Sequence, residues 1–203
     1  MTGLPTDKQR LPESFYDRPT PAVARELIGA ALLRRVGDVW VGGWIVETEA
    51  YLAERDPASH SARGQTPSNA AMFARPGTLY VYPIHAKYCC NAVTESAGRG
   101  AAVLIRALEP VWGIERMMAA RGHRDLKRLT RGPAMLCQAL QIDRGDNGRF
   151  LVQDSDLSIF RQSEIKPRRL AATQRIGISK AQHRKLRFVD QDSPHLSRRF
   201  ARR

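Results

Sequence analysis

Glu47, Glu49 and Tyr51 alternate along the segment IVETEAYL, which spans residues 45–52. Side chains alternate between the two faces of an extended strand, so these three would point to the same face. Carboxylates that lie close together repel each other, which raises the pKa of one of them and suits it to general acid–base chemistry. A solvated strand face would carry the same pattern without any chemistry.

Four further side chains could complete a site around these carboxylates. Tyr80 and Tyr82 share one face of the segment TLYVYPI and offer aromatic surfaces for a nucleobase taken out of its stack, although core packing would also explain them. Arg106 interrupts the apolar segment VLIRALEP, where it must find polar partners or reach solvent from the strand end. His60 could bind an anion or a polar ligand, but a lone histidine indicates little.

The charge of the chain favours a polyanionic partner. The 203 residues are 42% hydrophobic and 26% charged, which is typical of one globular domain with its own core. Lysine and arginine number 33 against 20 acidic residues, for a formal net charge of +13. A domain this basic is typical of nucleic-acid-binding proteins, although an arginine-rich composition alone produces the same charge.

Several classes of protein find no support in the sequence. Cys89, Cys90 and Cys137 lack the spacing of a zinc site, and no phosphate loop, dinucleotide fingerprint, HExxH motif or serine elbow occurs. We therefore expect no metal and no cofactor. No apolar run approaches the about 18 residues of a membrane span, and the first residues lack the apolar stretch of a secretory signal. We expect a cytoplasmic protein that makes no membrane contact.

The apolar pattern predicts a mixed α+β fold. Strands are expected at ALLRRV (31–36), VWVGGWIVETEAYL (39–52), TLYVYPI (78–84) and AAVLIRALEP (101–110). Helices are expected after Thr20-Pro21 and near residues 69–73, 111–121 and 134–141. Because strands and helices do not alternate regularly, a doubly wound parallel sheet is not expected.

Several ordered segments, taken together, resemble the alkyladenine DNA glycosylase family, the mammalian type of 3-methyladenine glycosylase. They are IVETEAYL (45–52), SHSARGQTPSNAAMF (59–73), PGTLYVY (76–82), VLIRALEP (103–110) and GPAMLCQAL (132–140). RIGI at 175–178 and LRF at 186–188 resemble the family's C-terminal landmarks. The resemblance extends from about Phe15 to Ser197, which is nearly the whole chain.

The resemblance implies one compact α+β domain, with a curved antiparallel sheet flanked by helices and no helix–hairpin–helix. This catalytic domain would span residues 15–197, between a flexible N-terminus (1–14) and a basic tail (198–203). The implied enzyme is a monomeric base-excision repair glycosylase that needs no cofactor. It would flip an alkylated or deaminated purine out of double-stranded DNA and hydrolyse the N-glycosidic bond without cleaving the strand. Its substrates would be 3-methyladenine, 7-methylguanine, hypoxanthine and ethenoadenine.

The resemblance also implies a role for individual residues. Glu49 matches the general base, and Arg106 matches the arginine whose main chain helps to hold the nucleophilic water. Tyr51, His60 and Tyr82 match the side chains that enclose the flipped base.

Other positions at the family's DNA-contacting surface differ in type or spacing. Asn91 matches the asparagine that crowds the 2-amino group of a normal guanine, although the segment PIHAKYCCN is one residue shorter than usual before it. His85 stands where the family has a tyrosine that intercalates into the duplex. Met135 stands where a lysine often meets phosphate, and Arg131 is the expected substitute.

Two other interpretations stay open at this point. A non-catalytic basic module that binds nucleic acid or the ribosome would explain the charge, but it leaves Glu49, Tyr51 and Arg106 unexplained. A formyltransferase-like nucleotide-modifying domain is an analogy at the level of the fold only.

Overall fold

Strand β2 (Val39–Leu52) forms the centre of the sheet and pairs with three other strands. The computed structural model describes residues 3–162 and 168–199. Residues 1–2 of the expected flexible N-terminus and residues 200–203 of the expected basic tail lie outside the described residues. Every residue of β2 from 41 to 50 is buried, because neighbouring elements cover both faces of the strand.

The described residues also contain seven further strands and four α-helices. The strands are β1 (Ala31–Val36), β3 (Leu79–Ile84), β4 (Lys87–Thr94), β5 (Ala101–Trp112), β6 (Leu157–Phe160), β7 (Leu170–Thr173) and β8 (Arg187–Asp190). The helices are α1 (Glu13–Tyr16), α2 (Thr20–Glu26), α3 (Ile114–Arg121) and α4 (Pro133–Leu140). Short 3-10 helices occur at Asp7–Gln9, Ala53–Arg55, Ala70–Phe73, Leu126–Arg128 and Arg144–Asp146. No helix among the described residues is both long and apolar enough to span a bilayer.

All strand pairs in the sheet are antiparallel, in the order β3-β4-β5-β2-β1-β6. The sheet branches at β2, because β1 pairs with its first half and β8 pairs with residues 47–49 of its second half. β7 extends this branch by pairing with β8. The expected single α+β domain with an antiparallel sheet is confirmed.

The four expected strands all form, and each lies within two residues of its predicted limits. β5 continues to Trp112, so the helix expected near residues 111–121 begins at Ile114 instead. β4 was not expected, because its residues 89–94 are buried on both faces and show no apolar–polar alternation. β6, β7 and β8 contain only four residues each, which is too short for a clear pattern.

The N-terminal segment makes contacts with the sheet. Arg10 forms an isolated β-bridge with Phe160, and Leu11 is buried in the main hydrophobic core. The limits of the domain and of its flanking segments stay predictions.

The main hydrophobic core lies on one face of the sheet, where α2 packs against β2 and α4 packs against β4. Each central strand contributes alternate residues to this core, and the intervening residues point to the opposite face. The residues that contribute to the core are Ala50 of β2, Leu79 and Val81 of β3, Cys90 and Ala92 of β4, Val103 and Ile105 of β5, and Phe188 of β8. The opposite face of the sheet carries the polar and aromatic residues considered below.

Gly43 lets β2 and β5 approach each other closely. A Cβ at this position would overlap the carbonyl oxygen of Glu109 and lie 2.7 Å from its carbonyl carbon. The overlapping atoms belong to the backbone of a paired strand, so a side-chain rotation cannot relieve the overlap. The ladder between β2 and β5 therefore requires glycine here.

We predict that Gly43→Ala lowers the free energy of unfolding by about 1–3 kcal/mol, the usual cost of overpacking a dense interior. Urea unfolding followed by tryptophan fluorescence measures this loss. Gly3→Ala is the matched control, because its added Cβ meets nothing within 4 Å. Equal stability of the two variants would contradict the steric explanation.

Candidate active site

Glu47, Glu49 and Tyr51 lie on the face of β2 that is turned away from the main core. Between them, Thr48 and Ala50 point to the core face, where the Thr48 hydroxyl donates to the carbonyl of Ala24 at 2.7 Å. The strand alternation expected from the sequence therefore brings both carboxylates and the phenol to one face. Both glutamates are fully buried, so neither belongs to a solvated strand face.

Arg106 joins the two glutamates from the neighbouring strand β5. Its Nε donates to Oε1 of Glu47 at 3.0 Å, and its Nη1 lies 3.3 Å from Oε2 of Glu49. The pairing of β2 with β5 shifts register on both sides of Glu47, and Arg106 lies opposite this irregularity. Arg106 is 7% exposed, so it has found polar partners inside the protein rather than reaching solvent.

Glu47 uses the hydrogen-bonding capacity of its carboxylate on partners within the protein. Besides Arg106, it accepts from Arg187 Nε at 2.7 Å, and from the backbone N–H and the hydroxyl of Ser197 at 2.6 and 2.7 Å. An ionised carboxylate accepts about four hydrogen bonds, so Glu47 is saturated in number, with three of its hydrogen bonds at Oε1 and one at Oε2. Burial acts to raise its pKa, but Arg187 and Arg106 outweigh burial and hold the pKa below its usual range.

Glu49 has fewer partners and the opposite shift in pKa. Its Oε1 accepts from the Ile176 backbone N–H at 2.7 Å, and its Oε2 accepts from the Tyr51 hydroxyl at 2.9 Å. Burial raises the pKa of Glu49, against the opposing effects of Arg106 and these two hydrogen bonds. Repulsion from Glu47 is the smallest of the contributions, so the sequence-based explanation of the shift needs correction: burial is the main cause. With Arg106 counted, Glu49 keeps room for about one more hydrogen bond.

An aromatic cavity of about 330 Å³ opens on the same face of the sheet. Tyr51, His60, Tyr82 and Asn91 line it, as does Tyr80. Glu49 and Arg106 lie behind the Tyr51 side of the cavity rather than in its lining. The geometry therefore brings the expected base-binding residues together and connects them to the carboxylate through the Tyr51 hydroxyl.

The aromatic rings that line the cavity contact each other. The His60 and Tyr82 rings meet edge to face, with centroids 4.5 Å apart and an interplanar angle of 82°. His60 Nδ1 lies 3.0 Å from the Tyr80 hydroxyl, which fixes the orientation of the imidazole. Partial burial lowers the pKa of His60, which favours the neutral imidazole.

The hairpin between β3 and β4 positions Asn91 and His85. His85 and Ala86 form its two-residue turn, both with positive φ (45° and 59°), and Ile84 pairs with Lys87. This short turn keeps Asn91 opposite Tyr80, and the Asn91 amide donates to the Tyr80 carbonyl at 3.0 Å. Asn91 thus reaches the cavity although the segment before it is short, and His85 lies exposed at the tip.

The expected phosphate contact at Arg131 stays a prediction. Arg131 Nε donates to the Leu196 carbonyl at 2.6 Å, so part of its guanidinium holds the C-terminal segment. Met135 lies 3.9 Å from the ammonium of Lys87, which brings a cation close to the position that lacks the expected lysine. Within the described residues, no group of three or more His, Cys, Asp or Glu side chains is arranged to hold a metal ion.

Comparison with known proteins decides between the open interpretations. The family model described as methylpurine-DNA glycosylase matches residues 14–194 of the chain. The chain belongs to the methylpurine-DNA glycosylase family. It is therefore a DNA glycosylase of base-excision repair, and DNA is its substrate. The resemblance noted from the sequence is confirmed.

Individual relatives in the methylpurine-DNA glycosylase family match nearly the whole chain. A protein of Rhodopirellula baltica, with the provisional name 3-methyladenine DNA glycosylase, is 54% identical over 93% of this chain and 83% of its own length. A protein of Methanoculleus marisnigri with the same provisional name is 45% identical over 93% of this chain and 99% of its own length. The DNA-3-methyladenine glycosylase of Mus musculus is 44% identical over 93% of this chain and 61% of its own length.

Several residues that shape the site of this methylpurine-DNA glycosylase were not identified from the sequence. Arg187 and Ser197 bind Glu47, Ile176 binds Glu49, and the Cys89 thiol hydrogen-bonds to the Tyr82 hydroxyl. Ile176 and Arg187 lie in the RIGI and LRF segments, and the resemblance of these segments to the family could have identified both residues. No pattern in the sequence indicated a role for Asp56, whose side chain forms a fully buried ion pair with Arg175.

We predict that Glu47→Gln destabilises the fold by about 3–5 kcal/mol at neutral pH, because it leaves the cations of Arg106 and Arg187 buried without their counter-charge. The folded-state pKa of Glu47 is lowered, so its stabilisation is complete above the unfolded-state pKa and is lost as the pH falls toward the folded-state value. Urea unfolding of both proteins at several pH values should therefore show a deficit that shrinks in acid.

Glu115→Gln, at an exposed position on α3, is the control for Glu47→Gln. It should leave the stability unchanged within about 0.5 kcal/mol at each pH. A Glu47→Gln deficit that stays constant or grows in acid would contradict the assigned charge interaction.

Proposed function

We propose that this glycosylase removes alkylated or deaminated purines from double-stranded DNA by hydrolysing the N-glycosidic bond, without cleaving the strand. The observation that carries the proposal is a buried carboxylate, Glu49, directly behind an aromatic cavity of about 330 Å³. The proposed substrates are 3-methyladenine, 7-methylguanine, hypoxanthine and ethenoadenine. The names of the relatives support the first of these.

A purine in a duplex hides its C1′–N9 bond within the stack, so the nucleotide must leave the helix before reaction. We assign the cavity between Tyr51, His60 and Tyr82 to the flipped base. Stacking on aromatic side chains is worth about 1–3 kcal/mol per base, which offsets the few kcal/mol that unstacking costs. A neutral His60 suits bases that carry a positive charge, such as 3-methyladenine and 7-methylguanine, because it does not repel them.

Glu49 is the proposed general base, and Arg106 is the proposed partner that holds its carboxylate. Cleavage of the glycosidic bond builds positive charge on the deoxyribose, and a carboxylate close to C1′ stabilises that charge while it takes a proton from the attacking water. The free hydrogen-bonding capacity of Glu49 supports this assignment, because the saturated carboxylate of Glu47 has none to offer. The water would join the Ile176 N–H at Oε1, which accepts one hydrogen bond, or replace the Tyr51 hydroxyl at Oε2, which already has two partners.

Asn91 is the proposed specificity residue at the cavity. It is 4% exposed, and its amide is held by the Tyr80 carbonyl, so it cannot easily move away from a base that carries an additional 2-amino group. A normal guanine would meet this fixed amide, whereas hypoxanthine lacks the 2-amino group. This arrangement supports discrimination against undamaged guanine.

We assign the chemistry to residues 15–197 acting as a monomer, with residues 1–14 and 198–203 as flanking segments. Strands β2, β5 and β8 all contribute residues to the site, so we propose one undivided catalytic domain.

Glu49→Gln is expected to lower the rate of base release by about 10²–10⁴-fold, the usual contribution of a general base. Single-turnover assays on duplexes that carry hypoxanthine, ethenoadenine or 7-methylguanine, followed by alkaline cleavage of abasic sites, measure this rate. Glu115→Gln should retain the parent rate. Near-parental rates in Glu49→Gln would defeat the assignment of the general base, and no base release by the parent protein would contradict the proposed substrates.

His85, exposed at the hairpin tip, is the proposed intercalating residue that fills the gap left by the flipped nucleotide. We predict that His85→Ala lowers the flipped fraction roughly fivefold, since loss of one aromatic contact with a base costs ~1 kcal/mol or more. Fluorescence of a base analogue beside the lesion reports flipping, with His123→Ala as a control away from the hairpin. Equal fluorescence in all three proteins would rule His85 out as the wedge.

A further inference from the structure

Asp56 and Arg175 form an ion pair whose two side chains have no exposed surface. Arg175 Nη2 donates to Asp56 Oδ1 at 2.7 Å, and Nη1 donates to Oδ2, so the pair is bidentate. Such a geometry fixes both the distance and the relative orientation of the two groups. Neither side chain belongs to the proposed chemistry.

The pair connects the end of β2 to the loop that follows it. Arg175 Nη1 also donates to the Ala50 carbonyl at 2.9 Å. The Asp56 carboxylate accepts from the backbone N–H groups of Leu52 and Ala58, each at 3.2 Å. Ala58 lines the aromatic cavity, so the ion pair holds one wall of that cavity against the strand that carries Glu49.

The same pair contacts Tyr51 directly and is linked to Glu49 through the backbone of the next residue, Ile176. The Arg175 guanidinium carbon lies 4.7 Å from the centroid of the Tyr51 ring. The next residue, Ile176, donates its backbone N–H to Glu49. Movement of Arg175 would therefore disturb the stacking surface and the carboxylate at once.

We propose that Arg175 and Asp56 are positioning residues for base excision, which hold the Tyr51 ring and the Ile176 amide in place for the flipped base and for Glu49. This inference rests on the proposed function of Glu49 and Tyr51.

Stability alone is a weak reason for such a pair. Removing two charges from water is costly, and replacement of a buried ion pair by well-packed hydrophobic residues of similar volume often leaves the stability unchanged or increases it. Misplacement of reacting groups by about 1 Å can cost 10²-fold in rate. The convergence of the pair on Tyr51 and Ile176 therefore points to alignment of the site.

The pH profile of the reaction can report this alignment, because it depends on the pKa of Glu49. The titratable and charged groups around Glu49 are Arg106 on β5, Glu47 and Tyr51 on β2, Cys89 on β4, and Arg187, its register partner on β8. The Ile176 N–H lowers the pKa of Glu49. Displacement of this amide should raise that pKa and move the acidic limb of the profile to higher pH.

The test is the double variant Arg175→Met/Asp56→Asn, which removes both charges and so avoids an unpaired buried ion. Single-turnover release of hypoxanthine is measured across the pH range at saturating enzyme. We expect a roughly 10- to 100-fold lower rate and an acidic limb displaced to higher pH. A folded double variant with the parental rate and the parental pH profile would overturn the inference.

A second buried ion pair provides the matched control. Arg34 on β1 pairs with Asp146, which also pairs with Arg149 at 3.0 Å, and the side chains of Arg34 and Asp146 are 18% and 5% exposed. Arg34→Met/Asp146→Asn also removes one positive and one negative charge, but outside the site. It can change the stability of the fold, whereas the rate and the pH profile should stay as in the parent. If it reproduced the changes of the first double variant, the effect would be a general response to loss of a buried pair, and the inference would fail.

Two further variants separate the possible failures. If the first double variant does not fold, Arg175→Lys takes its place. This variant keeps the cation but cannot bridge Asp56 and Ala50, so it should still lower the rate and move the acidic limb of the pH profile to higher pH. Parental behaviour of Arg175→Lys would then overturn the inference. Undiminished activity in Glu49→Gln would instead overturn the proposed function, whatever the Arg175 variants do.

Discussion

The burial of two carboxylates on one strand constrains the rest of the molecule. Glu47 and Glu49 have no exposed surface, and an ionised group removed from water must be compensated by charges and hydrogen bonds. The compensation comes from Arg106 on β5, from Arg187 on β8 and from Ser197 near the end of the described residues. The branching of the sheet at β2 is the arrangement that brings these distant segments to the same face.

The central strands could be predicted from the sequence, and so could the shared face of Glu47, Glu49 and Tyr51. Both follow from local rules, the alternation of side chains and the length of apolar runs. The partners of the glutamates could not be predicted in this way. Arg187 is 140 residues from Glu47, and its contact depends on the pairing of a four-residue strand that has no clear pattern of its own.

The hairpin between β3 and β4 shows how backbone geometry accommodates a shortened segment. The resemblance implies that the segment before Asn91 is one residue shorter than usual, and from the sequence alone such a shift would move the side chain to the other face of its strand. The two-residue turn at His85 and Ala86 instead sets a register in which Asn91 faces Tyr80. The spacing of residues along the sequence therefore predicts the strand face on which a side chain lies only when the geometry of the intervening turn is known.

Glu47 and Glu49 differ in the number of their hydrogen-bonding partners, although they have the same chemistry and the same burial, and this difference supports the role proposed for Glu49. The four hydrogen bonds to Glu47 from described residues hold its pKa down and leave it no capacity for a substrate or a water. Among the described residues, Glu49 receives the Ile176 amide and the Tyr51 hydroxyl besides its contact with Arg106, and these do not outweigh burial, which raises its pKa. A carboxylate with a raised pKa is a stronger base once ionised, and one with unused capacity can bind the water that it activates. Arg106 couples the two glutamates, since its Nε donates to Glu47 and its Nη1 lies 3.3 Å from Oε2 of Glu49.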